Sequence, residues 1–214
     1  MDCVAMARPL RIEFGGAVYH VMARGNQGRA ICQNQGDRKM WLATLGAACE
    51  RTGWRVHAWV LMDNHFHLLL ETPEPNLVRG MKWLQGTYTQ RYNARHRERG
   101  HLFQGRYRAV PGEVGEAMYF QTVSTYIHLN PARAKLIELG REKLGAYPWS
   151  SYPNYVRGTG RVGWNGAGSW PVWDSGSRKG PATRLTWRAG CWNWVQSSQE
   201  PRVVEMKRRL EQGA

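Results

Sequence analysis

Acidic residues are scarce in this chain: 16 Asp and Glu stand against 30 Lys and Arg in 214 residues, a formal net charge of +14. A surface so short of carboxylates cannot neutralise itself, and the default partner of such an excess is nucleic acid. Cysteine is equally thin. Cys3, Cys32, Cys49 and Cys191 lie far apart with no CxxC spacing, which argues against a disulfide framework or a thiolate zinc site and suits a reduced cytoplasm. Long apolar runs are missing as well. None reaches the ~18 residues that cross a bilayer, and no charged head followed by an apolar core opens the chain, so neither a membrane span nor a secretion leader is expected. What the chain does hold is aromatic: 11 Trp, 9 Tyr and 4 Phe, with 42% hydrophobic residues overall, too much apolar surface for an unfolded polymer. This length suits one compact domain with an appendage, or two small domains.

The charge is concentrated. Between Arg79 and Ala109 stand Arg79, Lys82, Arg91, Arg95, Arg97, Arg99, Arg106 and Arg108, against Glu98 alone. Trp83, Tyr88, Tyr92, His96, His101, Phe103 and Tyr107 are interleaved with them, side chains able to stack on bases or to pack beneath phosphate-binding arginines. A merely solvated helix face usually mixes signs to gain pairs four residues apart, and the shortage of acids here favours nucleic-acid contact.

Alternation over Ala17 to Ala23, ending at Arg24-Gly25-Asn26, predicts a strand. Helical spacing over Asp37 to Glu50 predicts a helix capped by Asp37. Trp54 to Leu61 and His65 to Glu71, joined by Met62-Asp63-Asn64, predict a hairpin closed by Pro73 and Pro75. A long basic helix follows from Asn76 to about Arg97, then a candidate strand at Tyr107 to Val110 and a helix from Gly115 to Asn130 that Pro131 ends or kinks. Strand, helix, strand, strand, helix, strand is the ferredoxin-like order, an α+β fold with an antiparallel sheet and helices on one face, and the last helix is an addition to it. From Asn154 to Gly190 the chain turns Gly-, Ser- and Trp-rich with Asp174 as its one acid. We therefore divide it into a domain over residues 1–152 and an irregular appendage over 153–214, with a short basic helix expected from Arg202 to Gln212.

Two constellations carry chemistry. On a strand, His65 and His67 project to one face while Phe66 and Leu68 project to the other. Two imidazoles on one side begin a divalent metal site, although a solvated sheet face shows the same spacing. In Tyr126-Ile-His-Leu-Asn130, a helix places Tyr126 and Asn130 on one face, one turn apart. A phenol beside an amide oxygen suits a metal-assisted tyrosine nucleophile, since only about 0.1% of a phenol ionises unaided at neutral pH. A core tyrosine followed by a capping Asn-Pro fits the same residues. Tyr119 lies two turns before Tyr126, but only Tyr126 has Asn at the fourth following position, and His128 falls off that face, where it would contact backbone or DNA.

Tyr19-His-Val-Met-Ala-Arg-Gly-Asn26, Trp54 to Glu71 with its His65-Phe66-His67 core, Gly100-His-Leu-Phe-Gln-Gly-Arg-Tyr-Arg108 and Tyr126-Ile-His-Leu-Asn-Pro-Ala-Arg-Ala134 stand in one order. Together they resemble the REP-associated tyrosine transposases, single-tyrosine members of the histidine-hydrophobic-histidine (HUH) endonucleases related to small insertion-sequence transposases. The likeness runs from about Met6 to Tyr152. It implies that His65, His67 and Asn130 hold Mg²⁺ or Mn²⁺, and that Tyr126 attacks the scissile phosphate of single-stranded DNA. The products would be a 5′-phosphotyrosine link and a free 3′-OH, so strand transfer needs no nucleotide cofactor. It further implies a REP-like hairpin substrate with a single-stranded flank and a nucleoid-associated cytoplasmic enzyme, more in keeping with a monomer than a dimer. Arg79, Lys82, Arg91 and Arg95 on the basic helix, with Arg106 and Arg108 after it, would hold the DNA backbone, and Arg24 and Arg29 would add a second contact. The C-terminal third departs from the family, whose members continue with helical sequence after Tyr147-Pro-Trp-Ser-Ser-Tyr152. Two other functions fit the same residues: a catalytically silent structured-nucleic-acid binder, and a zinc hydrolase with water as nucleophile.

Overall fold

The computed structural model describes residues 12–112 and 117–156. Its strands are β1 (Ala17–Arg24), β2 (Arg55–Leu61), β3 (His65–Thr72) and β4 (Arg108–Gly112), and its α-helices α1 (Gln35–Thr52), α2 (Leu77–His96), α3 (Ala117–Arg133) and α4 (Tyr152–Val156). The strands form one antiparallel sheet in the order β2-β3-β1-β4, which is the ferredoxin-like arrangement expected from the order of elements.

Strand β3 shows how the two faces of the sheet are assigned. Phe66, Leu68 and Leu70 are fully buried against one layer, among Trp41 and Leu45 of α1 and Met81, Leu84 and Tyr88 of α2. Leu69 packs the other way, with Val123, Tyr126 and Ile127 of α3. Because both faces are covered, β3 reads as an almost unbroken apolar run rather than a strict alternation. Each fully buried Leu or Ile contributes about 1.5–3 kcal/mol, so the α3 layer is held by burial like the other. On this plan α1 and α2 share the one face expected, and the added helix α3 takes the opposite one.

Helix α1 begins earlier than its spacing predicts. Asn34, in extended backbone, is the cap, and its Oδ1 accepts from the Asp37 N–H at 3.1 Å. Asp37 is instead fully buried and clamps the end of α2, its carboxylate meeting His96 Nε2 at 2.9 Å and Arg95 Nε at 3.1 Å. A carboxylate three residues into a helix can face a neighbouring helix, whereas the residue just before it is better placed to cap. At the far edge of the sheet, the chain after α3 returns along β2. Leu61 N donates to Trp149 O and Ser151 N to Trp59 O, each at 2.9 Å, so this edge is paired rather than open.

The Gly- and Trp-rich stretch beyond Val156 and the basic helix expected at 202–212 lie outside the described residues. Among those described, no helix is long and apolar enough to cross a membrane.

Candidate active site

Register assembles the site before any side chain is placed. In the β1–β3 pair Arg24 lies opposite His65 and Met22 opposite His67. In the β1–β4 pair Met22 lies opposite Arg108. Residues directly opposite share a face, so two imidazoles and two guanidinium side chains belong to the α3 side of the sheet. Helix α3 crosses that face, and between them lies a cleft of about 520 Å³ lined by His65, His67, Tyr126, Asn130, Arg24, Arg106, Arg108 and Arg133, with Met22, Ala23, Gln104 and Ala134. Among the described residues, no carboxylate lines it.

Both imidazoles are held from behind. His65 Nδ1 is 2.7 Å from Asn64 Oδ1, and the Asn64 amide is itself oriented by donating from Nδ2 to Gly28 O at 3.2 Å. His67 Nδ1 is 3.0 Å from Nε2 of His20. The Nε2 atoms are what remain for the cleft. Burial, then the positive charge of Arg24, depresses the basicity of His65. His67 lies well below the ordinary imidazole value through burial, then through His20, His65 and Arg133. Both are therefore neutral imidazoles at pH 7, the form that binds metal.

Asn130 is fixed by the proline that follows it. Pro131 has no N–H for the Ile127 carbonyl, and the Asn130 amide answers by donating from Nδ2 to Tyr126 O at 2.9 Å and to Ile127 O at 3.4 Å. Pro131 thus neither ends nor breaks α3, which runs on to Arg133. With Nδ2 committed, the carbonyl oxygen Oδ1 is left over, and the Asn130 side chain, close enough to His65 to raise its basicity slightly against the effect of burial, lines the cleft with it. Two neutral imidazoles and one amide oxygen lining a single cleft are a donor set that fits a small divalent ion. Among the described residues no trio of His, Cys, Asp or Glu side chains is grouped to hold a metal.

Tyr126 leans against both histidine rings, with centroids 5.6 Å from His20 and 5.7 Å from His67. The Arg133 guanidinium stands 4.8 Å from its ring centroid. Other buried tyrosines spend their hydroxyls on backbone. Tyr88 donates to Ile31 O at 2.6 Å, Tyr147 to Leu61 O at 2.8 Å, and Tyr119 to Val110 O at 3.2 Å. Burial pushes the Tyr119 phenol up to about 12. The ring of Tyr119 lies so close over Gly112 that a Cβ there would come within 2.1 Å of it, which marks a packing residue.

The predicted basic residues divide by face. Arg24, Arg106 and Arg108 line the cleft, the loop of Arg106 being tied to β1 by Asn26 N donating to Leu102 O and Gln104 N to Arg24 O, each at 2.8 Å. Arg79, Lys82, Arg91 and Arg95 ride on α2, across the sheet from the cleft. Arg91 binds Thr44 Oγ1 at 2.9 Å, Arg95 binds Asp37, and Arg29 pairs with Glu98. The charged helix expected to hold the DNA backbone therefore lies on the opposite side of the sheet from the histidines and the tyrosine. His128 also departs from expectation. It is buried, its Nε2 sits 2.7 Å from Ser151 Oγ, and burial lowers its pKa to about 3, so it joins α3 to the chain over the β2 edge and stays away from the cleft.

A family model described as "Transposase IS200 like" matches residues 14–130, a span that includes His65, His67, Tyr126 and Asn130. The chain belongs to the IS200-like transposases. A solved structure described as the REP-associated tyrosine transposase bound to a REP hairpin is similar in fold, with a TM-score of 0.60 at 15% identity, over 83% of this chain and 96% of that one. A putative transposase from Deinococcus radiodurans aligns at 17% identity over 61% of this chain and 92% of that one, with a TM-score of 0.38. No curated protein matches.

For an IS200-like transposase, the residues sequence reasoning overlooked are His20, Asn64, Arg133 and Gln104. Arg133 lies seven residues after Tyr126, two helical turns on, and that periodicity was available had Pro131 not suggested a helix end. His20 showed only as a lone polar residue in an apolar strand, since its pairing with His67 depends on a register the sequence does not spell out.

Proposed function

We propose that this protein is a divalent-metal-dependent single-stranded DNA endonuclease and strand transferase that acts on REP-like hairpin DNA through a 5′-phosphotyrosine intermediate. The observation that carries the reading is the placement of the Tyr126 side chain in one cleft with His65, His67 and Asn130, walled by four arginines and, among the described residues, by no acid. The arginines would hold phosphates flanking the scissile bond, with Arg106 and Arg108 on the β4 side and Arg133 at the nucleophile. His65 and His67 through Nε2, and Asn130 through Oδ1, would hold Mg²⁺ or Mn²⁺. The chemistry supplied by such an ion is neutralisation of charge on the non-bridging phosphate oxygens. Tyr126 would attack phosphorus as its phenol proton passes to solvent. A bond forms between Tyr126 Oη and phosphorus, the bond to the 3′ oxygen breaks, and that oxygen leaves as a 3′-OH after taking up a proton. One phosphodiester is exchanged for another, so the link can be handed to a new 3′-OH without an energy source. The hairpin named for the solved relative enters here as the substrate class to test first.

Incubation with a REP hairpin carrying a single-stranded flank, in Mg²⁺ or Mn²⁺, should give a covalent protein–DNA adduct on a denaturing gel that is absent in Tyr126→Phe. Cleavage by Tyr126→Phe at the wild-type rate would overturn the nucleophile and favour a water-based hydrolase. Tight, salt-sensitive binding with no adduct under any divalent metal would favour a catalytically silent binder. Light scattering of the free and DNA-bound protein tests the monomer expected from the sequence.

A further inference from the structure

We propose that His20 is a positioning residue that sets the ring tautomer of His67 and turns its Nε2 lone pair into the cleft. The inference rests on the reading of His65, His67 and Asn130 as metal donors and assigns a residue behind them.

His20 lies in the middle of β1 between Tyr19 and Val21, fully buried. Its Nε2 is 3.0 Å from His67 Nδ1, and the rings stack at 5.1 Å with 26° between their planes. One proton must lie between those two nitrogens. Carried by His67, it leaves the His67 Nε2 with a lone pair toward the cleft. Carried by His20, it leaves His67 as the Nε2–H tautomer, which has nothing to offer a cation.

His65 shows which arrangement the site is built for. Its partner, Asn64 Oδ1, can only accept, so a proton on Nδ1 satisfies that contact and leaves Nε2 as the nitrogen with a lone pair to offer. His20 does for His67 what Asn64 does for His65, with an imidazole nitrogen in place of an amide oxygen. Either tautomer of His20 leaves its Nδ1 without a hydrogen-bond partner. The accepting tautomer carries its own proton on that buried atom. An orphaned buried N–H is costly and rare in a strand that an apolar residue would fill better. A histidine kept there despite that cost points to what its other nitrogen does. Contacts behind metal-binding imidazoles commonly set their tautomer in this way, and their loss weakens metal binding about 10- to 100-fold.

The test uses the full chain and the metal alone. Mn²⁺ is titrated by calorimetry into the wild type, His20→Leu and His20→Gln, whose Oε1 reaches the place of Nε2 as an acceptor. In parallel, ¹⁵N-¹H correlation spectra of the metal-free proteins read the His67 tautomer. The expected result is Nδ1–H at His67 in the wild type and in His20→Gln, with near wild-type Mn²⁺ affinity in the latter. His20→Leu should show mixed His67 tautomers and a 10- to 100-fold loss of affinity, about the range found when such contacts are removed. An Nε2–H tautomer at His67 in the metal-free wild type overturns the proposal. So does a folded His20→Leu that binds Mn²⁺ as the wild type does. Should the wild type bind no Mn²⁺ at all, the metal reading of the cleft fails, while the His67 tautomer in the metal-free protein still decides the role of His20. Should His20→Leu fail to fold, the wild-type and His20→Gln spectra decide it.

Discussion

Asn130 performs two tasks with one amide: its nitrogen donates to the Tyr126 carbonyl and to the Ile127 carbonyl that Pro131 cannot serve, and its oxygen is left over in the cleft it lines. The capping and ligand readings of this residue are complementary, because a primary amide has a donor end and an acceptor end. Asn130→Ala should therefore abolish the covalent adduct and cost about 1–2 kcal/mol of stability, measured by urea unfolding, since a buried carbonyl loses its partner. The arginines allow a sharper comparison. Neutralising one phosphate contact lowers the log–log salt slope of single-strand binding by about 0.7. Arg106→Ala and Arg133→Ala should each show that reduction, whereas Arg79→Ala, on α2 across the sheet, should leave the slope unchanged. Equal effects at Arg106 and Arg79 would return the DNA to the basic helix.

Among the elements, α3 decides the most. It brings Tyr126, Asn130 and Arg133 to one face in two turns and places Tyr119 where Gly112 leaves room for its ring. Tyr119→Phe should keep full adduct formation and lose about 1 kcal/mol with the hydrogen bond to Val110 O. Gly112→Ala, which sets a methyl against that ring, should lower the melting temperature by several degrees, in line with a cost of about 1–3 kcal/mol for overpacking. Loss of the adduct in Tyr119→Phe would move the nucleophile to the wrong residue for this account. Strands and helices were legible because their apolar periods differ, and the His65/His67 pair and the Tyr126/Asn130 pair were legible because each lies within one element. The cap at Asn34 was missed because an Asp three residues later also fits a helix start, and its burial against His96 depends on where α2 passes.

At the scale of the molecule, three layers replace the two that the ferredoxin-like order implies, and the second interface is where histidines become buried. His128 joins α3 to Ser151 with its pKa lowered to about 3. An unfolded histidine titrates near 6.5, so between those values the unfolded chain binds the extra proton. The stability this group contributes is present in full above about pH 6.5 and is lost as pH falls toward 3, by at most about 1.4 kcal/mol per pH unit. Chemical unfolding at pH 6, 5 and 4 should show that slope in the wild type and a shallower one in His128→Gln, with the remainder owed in part to His20, also lowered to about 3. An unchanged slope in His128→Gln would mean that His128 does not report on this interface.

The sequence by itself determined the excess of cations, the order of elements, and the residue pairs whose spacing is set by one strand or one helix, because alternation and the 3.6-residue turn are local geometry. Only the tertiary structure decided which charges face the cleft and which imidazole stands behind which. Those are set by strand register and by the face each helix takes, and a shift of one residue in register would turn His20 away from His67 and toward the opposite layer.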